Sequence, residues 1–250
     1  MVLLKRFILM MQFLTTIPIP AKLNVDEKDF GRGLALAPLI GLVIGGLVAC
    51  AGYLAGLIFS PPIAAVLVII TYIIVTGGIH LDGLGDTFDG IFSNRPRDRI
   101  LEIMRDSRVG TYAVLAVICI LGLNTTLLFS ALEGHKFYIL VLMPVAGRIG
   151  SVAGAAVTRY ARSGPGLGKS FMDYCGYREM AWAAGISMVV FFAFEGIMGL
   201  LLCLTMFLSA IILVKFFSRK IGGATGDILG AVCELNQTVF LIISYLVLYR

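Results

Sequence analysis

Ile63-Ala-Ala-Val-Leu-Val-Ile-Ile-Thr-Tyr-Ile-Ile-Val-Thr-Gly-Gly-Ile-His80-Leu-Asp82-Gly-Leu-Gly-Asp86-Thr-Phe-Asp89-Gly90 joins an uncharged apolar run to three carboxylates in a segment that reads as helix. The run over 63–79 has the length and apolarity of a membrane span. At about 100° per residue, Asp82, Asp86 and Asp89 fall within an arc of roughly 60° on one helix face. Like charges at that spacing repel by about 2–3 kcal/mol per pair at an effective dielectric near 20, so a positive group is expected between them. Oxygen-only ligands on one face suit a hard cation, Mg²⁺ first and Mn²⁺ second, which typically bridges carboxylates to substrate phosphates. Gly83, Gly85 and Gly90 weaken the helix but admit a close backbone or a substrate. The plainer alternative is a solvated helix end. His80 falls about 160° around from Asp82, which makes it a substrate contact rather than a metal ligand.

The rest of the chain extends the membrane reading. Of its 250 residues, 59% are hydrophobic and 14% charged, and the mean hydropathy is +0.96. That excludes an ordinary soluble domain. Apolar runs fall at about 34–59, 63–79, 111–132, 137–157, 180–194, 197–214 and 228–249. An all-α, polytopic membrane bundle of six or seven spans is predicted, and the absence of alternating strand patterns disfavours a barrel. Ser60-Pro61-Pro62, Glu133-Gly-His-Lys136 and Glu195-Gly196 form tight hairpins on one side, while 80–110, 158–179 and 215–227 are long connections on the other. The basic residues collect on the second side: Lys5, Arg6, Lys22, Lys28 and Arg32, then Arg95, Arg97, Arg99, Arg105 and Arg108, then the later loops. Only Lys136 and Arg250 lie opposite. By the positive-inside rule the N-terminus and the long loops are cytoplasmic. Residues 1–33 form an N-terminal interfacial segment, with a helix over 3–14 lying on the membrane rather than acting as a cleaved signal. One membrane domain over 1–250 is expected. Cys50, Cys119, Cys175, Cys203 and Cys233 show no paired spacing and read as small buried hydrophobes.

A second acidic site follows the loop Gly222-Gly-Ala-Thr225-Gly. Asp227 and Glu234, seven apart, share a helix face two turns apart, near Asn236 and Gln237 in the last apolar run. Ionisable groups at that depth face a polar cavity by default, although an amphipathic entry helix capped by Thr225 or Asp227 is the alternative. Pro96 and Gly110 bracket a short helix. Its Arg97, Arg99 and Glu102 read as surface ion pairs, whereas Arg105, Asp106, Ser107 and Arg108 cluster where the chain re-enters the membrane and suit phosphate oxygens. Arg148 lies in mid-span and needs an acidic or diphosphate partner. The loop from Arg159 through Arg162 to Lys169 and Ser170 lacks the first P-loop glycine and any preceding strand. It reads as a basic lid over an anion, with headgroup binding the alternative.

These residues resemble the cobalamin synthase (adenosylcobinamide-GDP ribazoletransferase) family over nearly the whole chain. The resemblance rests on Phe13-Leu-Thr-Thr-Ile-Pro-Ile-Pro20, Pro38-Leu-Ile-Gly41, His80 through Gly90, Ile103-Met-Arg-Asp-Ser-Arg-Val-Gly-Thr111, Gly147-Arg148, the Tyr160-Ala-Arg162 to Gly168 loop, and Gly223 to Glu234, in that order. The family usually shows an alanine-like residue where Gly85 stands. The resemblance implies that adenosylcobinamide-GDP is joined to α-ribazole or its 5′-phosphate with release of GMP, in the final assembly of adenosylcobalamin. On that reading Asp82, Asp86 and Asp89, with Asp227, hold Mg²⁺ on the diphosphate. Asp227 or Glu234 accepts the proton of the attacking ribazole 5′-hydroxyl. Arg148, Arg105 and Arg108 stabilise the transferred phosphoryl, and His80, Asp106, Arg162 and Lys169 contact substrate.

Two rivals use the same chemistry. CDP-alcohol phosphotransferases place an Ala-Arg after Asp-Gly and space their acids differently, and prenyltransferases need an isoprenoid tunnel. A cation-coupled transporter, from another class, would show broken helices in two corresponding halves, which this sequence lacks. The expected setting is a prokaryotic cytoplasmic (inner) membrane, crossed several times, with the active site facing the cytoplasm and no nucleic-acid partner. A homo-oligomer, or association with other corrinoid-pathway enzymes, stays open.

Overall fold

In the computed structural model, which describes residues 2–248, every regular element is helical. Arg250, assigned above to the far side, lies outside the described residues. The chain runs α1 (Val2–Leu14), α2 (Glu27–Gly33), a single 3₁₀ turn (Leu34–Leu36), α3 (Ala37–Gly56), α4 (Pro61–Thr76), α5 (Ile79–Phe92), α6 (Arg97–Ile103), α7 (Thr111–Glu133), α8 (Phe137–Val157), α9 (Leu167–Tyr174), α10 (Tyr177–Ser218) and α11 (Gly226–Leu248). Five helical stretches are long and apolar enough to cross a membrane, and the bent pair α4 and α5 makes a sixth.

The 42-residue α10 is two helices in one. Gly196, at φ 56° and ψ −135°, lies outside helical space and reverses the chain. A Cβ on Gly199 would stand 2.1 Å from the carbonyl oxygen of Phe191. In a straight helix those residues lie about 12 Å apart along the axis. Each arm is about 20 residues, enough for its own crossing. Counted separately, the arms bring the crossings to seven, and the hairpin expected at Glu195-Gly196 is observed.

The centre of the bundle is α8, whose residues from Ile139 to Ala155 are almost continuously buried. α3 packs antiparallel against it through glycines. Cβ atoms built on Gly41 and Gly45 would lie 2.8 Å from the Pro144 carbonyl oxygen and 2.1 Å from that of Val141. Lipid tails give no hydrophobic drive between helices, so this backbone-to-backbone approach carries the packing. We expect Gly45→Ala to separate α3 from α8 and to cost about 1–3 kcal/mol, read as a lower unfolding midpoint in detergent.

α4 ends in two consecutive left-handed glycines, Gly77 (φ 64°) and Gly78 (φ 69°), a conformation that disfavours side chains with a Cβ. They turn the chain by 92°, so α5 leaves α4 along a new direction. Thr16 holds this corner: its amide and hydroxyl donate to the α4 carbonyls of Val75 and Ile74, each at 2.8 Å. Phe13, Phe30 and Phe171 meet with ring centroids 5.4–6.4 Å apart and tie α1, α2 and α9 together.

Candidate active site

The site forms where α5 meets the start of α11. Two glycines let the backbones touch: a Cβ on Gly83 would lie 2.8 Å from the Asp227 carbonyl oxygen, and one on Gly230 would lie 3.3 Å from His80. This contact brings the two acidic segments, far apart in sequence, to one place. Asp86 is half-buried and feels the charges of Asp227, Asp82 and Asp89 against the single cation Arg162. The Arg162 guanidinium donates to Asp227 Oδ2 at 2.9 Å and to the Met104 carbonyl at 3.3 Å.

Backbone pairing delivers Arg162 there. The Ala161 N–H donates to the Ala224 carbonyl and the Ala224 N–H to the Arg159 carbonyl, each at 2.8 Å. This isolated parallel bridge locks the loop after α8 to the loop before α11. Arg97 clamps the same junction, donating through Nε to the Ile221 carbonyl at 2.9 Å and through Nη2 to that of Ala161. It pairs with Asp98 as expected, but its larger task is this anchor. Thr225 caps α11, accepting the Ile228 N–H at 3.2 Å while its hydroxyl donates to Asp227 Oδ2 at 3.2 Å.

Asp82, Asp86 and Asp227 fit a hard cation by donor type, but they do not form a closed cage. Among the described residues, only His80, Cys233 and Glu234 bring three potential ligand atoms within 4.8 Å of one another. The acids would hold Mg²⁺ through one or two carboxylates and leave the remaining positions to water and substrate phosphates, as that ion prefers.

Asp89 stands apart. Its Oδ2 accepts the Gly110 N–H at 2.7 Å and its Oδ1 the Ala113 N–H at 2.9 Å. Gly110, at the N-cap position of α7, has no side chain to cap with, and a Cβ there would strike the Asp89 carboxylate. Asp89 supplies the missing cap from another helix. Asp89→Ala is therefore expected to cost about 1–2 kcal/mol of stability through loss of that cap. Asp89→Asn, which keeps one acceptor, is expected to retain more turnover than the same change at Asp86. Parallel melting and rate measurements check both.

Beneath the acids lies a second polar group, sealed from solvent. The Tyr72 hydroxyl donates to Glu234 Oε1 at 2.7 Å and accepts from Gln237 Nε2 at 2.8 Å and Arg148 Nη1 at 3.3 Å. Arg148 is 1% exposed and Glu234 2%. The guanidinium also lies 5.9 Å from the centre of the Tyr72 ring and 3.9 Å from Cys233 Sγ. Arg148 thus meets the Tyr72 hydroxyl and reaches Glu234 only through it, while its Nε and Nη2 are buried without a hydrogen-bond partner; it does not meet the Asp82–Asp86–Asp227 group. The positive guanidinium neutralises Glu234, and this favours a charge-balanced network over a metal site at His80, Cys233 and Glu234.

A cavity of about 420 Å³ opens beside the acids, lined by His80, Asp82, Arg105, Ser151, Arg162 and Asp227 among others. Gly166 to Gly168, from the loop read as a lid, and Phe171 also line it. Seven predicted residues are not on its wall, Asp86 and Asp89 among them. Arg148 and Glu234 are in the sealed network. Lys169 pairs with Asp173 at 2.6 Å, and Arg108 forks onto Asp106. That fork holds the Asp106 carboxyl down at about 2. Sequence reasoning passed over Tyr72, whose one signal is a lone phenol in an apolar run, and Ser151, which carries none.

The family profile described as cobalamin-5-phosphate synthase matches residues 6–245. The chain belongs to this family. It is 54% identical over 245 residues to the adenosylcobinamide-GDP ribazoletransferase of Clostridium acetobutylicum, spanning 98% of this chain and 97% of that one. Identity to the protein of that name from Acetivibrio thermocellus is 55% over 243 residues, spanning 97% and 98%. A third relative of the same name, from Alkaliphilus oremlandii, is 40% identical over 244 residues. No solved structure matches the chain. The family resemblance read from the motifs is borne out.

Proposed function

We propose that this chain transfers the corrinoid phosphate of adenosylcobinamide-GDP to α-ribazole or its 5′-phosphate and releases GMP, completing adenosylcobalamin. The observation that carries the reading is the meeting of Asp82, Asp227 and Arg162 on the wall of the 420 Å³ cavity, with Asp86 behind them within reach of their charges, in a chain of this family. The reaction forms a P–O bond to a ribazole hydroxyl and breaks the P–O bond to GMP. Such transfers depend mainly on positioning and on neutralising charge.

The chain's residues divide that work. Asp82, Asp86 and Asp227 would hold Mg²⁺, which supplies charge neutralisation for the diphosphate. Arg162 and Arg105 line the cavity and offer forked donors to phosphate oxygens. His80 lines it as well. Asp227, at the cavity wall, is the group placed to take the acceptor's proton, whereas Glu234 is sealed away behind Tyr72. Arg148 and Tyr72 act by holding Glu234 and α11 in place. The attacking oxygen is reassigned: the family's name describes a 5-phosphate product. The 5′ oxygen is then already esterified, so a ring hydroxyl of the ribose attacks.

A cavity of this size takes the diphosphate and ribazole, while the corrin ring stays outside its mouth. The excess of basic residues on that side supports a cytoplasmic mouth, N-terminus and long loops. The deciding experiment is GMP release by detergent-purified protein given adenosylcobinamide-GDP and α-ribazole, with Mg²⁺ and then with EDTA. Metal-dependent GMP matched by corrinoid product supports the assignment. Folded, lipid-supplemented protein that releases none overturns it.

A further inference from the structure

A second cavity, of about 380 Å³, opens where α1, the end of α2 and the start of α10 converge. Its wall has two characters. Arg6, Arg32 and Arg178 line it, with Glu179 as the one acid. Glu179 is turned to its own helix end, accepting the Gly176 N–H at 3.1 Å. Arg6 is held by Asp29, which also binds Lys5. Arg32 and Arg178 have no protein partner among the described residues. Leu3, Leu36, Trp182 and Ile186 supply the apolar remainder.

This apolar wall opens outward. Leu3 is 69% exposed and Trp182 64%. Trp182 sits five residues into α10, about 7.5 Å along its axis from the first turn. That is the depth at which tryptophan marks the boundary between headgroups and tails. The pocket therefore spans that boundary, with unpaired guanidiniums at the headgroup level and a greasy slot below. A free anion would satisfy the arginines and leave the slot bare; a zwitterionic lipid would fill the slot but bring its own cation to the arginines.

We propose that this pocket binds an anionic phospholipid, its phosphate on Arg32 and Arg178 and an acyl chain along Leu3, Leu36 and Trp182. Guanidinium forks match phosphate oxygens, and juxtamembrane basic groups are drawn to anionic lipid. The site is distinct from the Asp82–Asp86–Asp227 cavity, and binding there does not depend on the reaction catalysed.

Trp182 is the chain's one tryptophan, so its fluorescence reports this pocket alone. The full-length protein is reconstituted in phosphatidylcholine vesicles in which about a tenth of the lipid is dibrominated, as phosphatidylglycerol in one set and phosphatidylcholine in the other. Quenching by the brominated phosphatidylglycerol should exceed that by phosphatidylcholine by about twofold or more. The double variant Arg32→Gln, Arg178→Gln should bring the two to equality while keeping the phosphatidylcholine quenching, which shows that the variant is inserted and folded. Equal quenching in the unaltered protein, or an excess that survives in the double variant, overturns the proposal. So does an excess abolished by inorganic phosphate but not by chloride at equal ionic strength, which would make the pocket a free-anion site.

Discussion

Asp86→Asn is expected to lower metal-dependent GMP release by at least about 100-fold, the scale on which loss of one charge-stabilising group is felt in a preorganised site. Asp86 is the half-buried member of the group, facing Asp227 and Asp82 with Arg162 as the compensating charge. The amide has nearly the same shape, so packing against α7 and α11 is kept. Removing a negative charge also relieves repulsion among the acids, and the unfolding midpoint should hold or rise. Loss of rate without loss of fold is the signature of a ligand. A folded Asp86→Asn protein turning over at the full rate would sink the metal assignment, and Asp82→Asn and Asp227→Asn give independent repeats of the measurement.

The second large effect concerns stability. Arg148→Met removes the cation from a network in which Glu234 is 2% exposed. The remaining carboxylate keeps Tyr72 as a donor but loses its compensating charge. Breaking a buried pair in this way costs about 3–5 kcal/mol, which for a chain of this length lowers the midpoint by roughly 10 °C. Adding Glu234→Gln should restore much of the loss, with a coupling of about 0.5–3 kcal/mol between the two sites. Thermal unfolding of the two single variants and the double in one detergent measures this. An Arg148→Met protein as stable as the parent would show that Glu234 does not depend on Arg148 for its charge balance.

The spans were legible because an apolar run of fixed length has few other uses. The meeting of Asp82 and Asp86 with Asp227 was half legible. Helical spacing put the first two on one face, and nothing local said that Gly83 and Gly230 would dock α5 on α11. Asp89 shows the limit of periodicity. It shares the arc with its neighbours, yet its carboxylate answers a need created by a glycine 21 residues later. Arg148 required a buried partner, and it has one. The partner is Tyr72, 76 residues away, and no spacing rule reaches that far. Arg97 was read as half of an exposed pair because its local neighbours are charged. Its anchoring bonds go to carbonyls, which every residue has and no sequence pattern displays.

The reversal at Gly196 settles a question of parity. As one straight rod, Tyr177–Ser218 would extend roughly 63 Å, about twice the hydrocarbon thickness, and would release the chain on the face opposite to the one where α10 began. α11 would then start on the wrong side, and Asp227 could never meet Asp82. One residue with a positive φ, outside the cavity and touching none of its groups, decides on which side of the bilayer the last helix begins. An insertion or deletion that straightened it would invert every residue downstream while leaving each one's own helix intact.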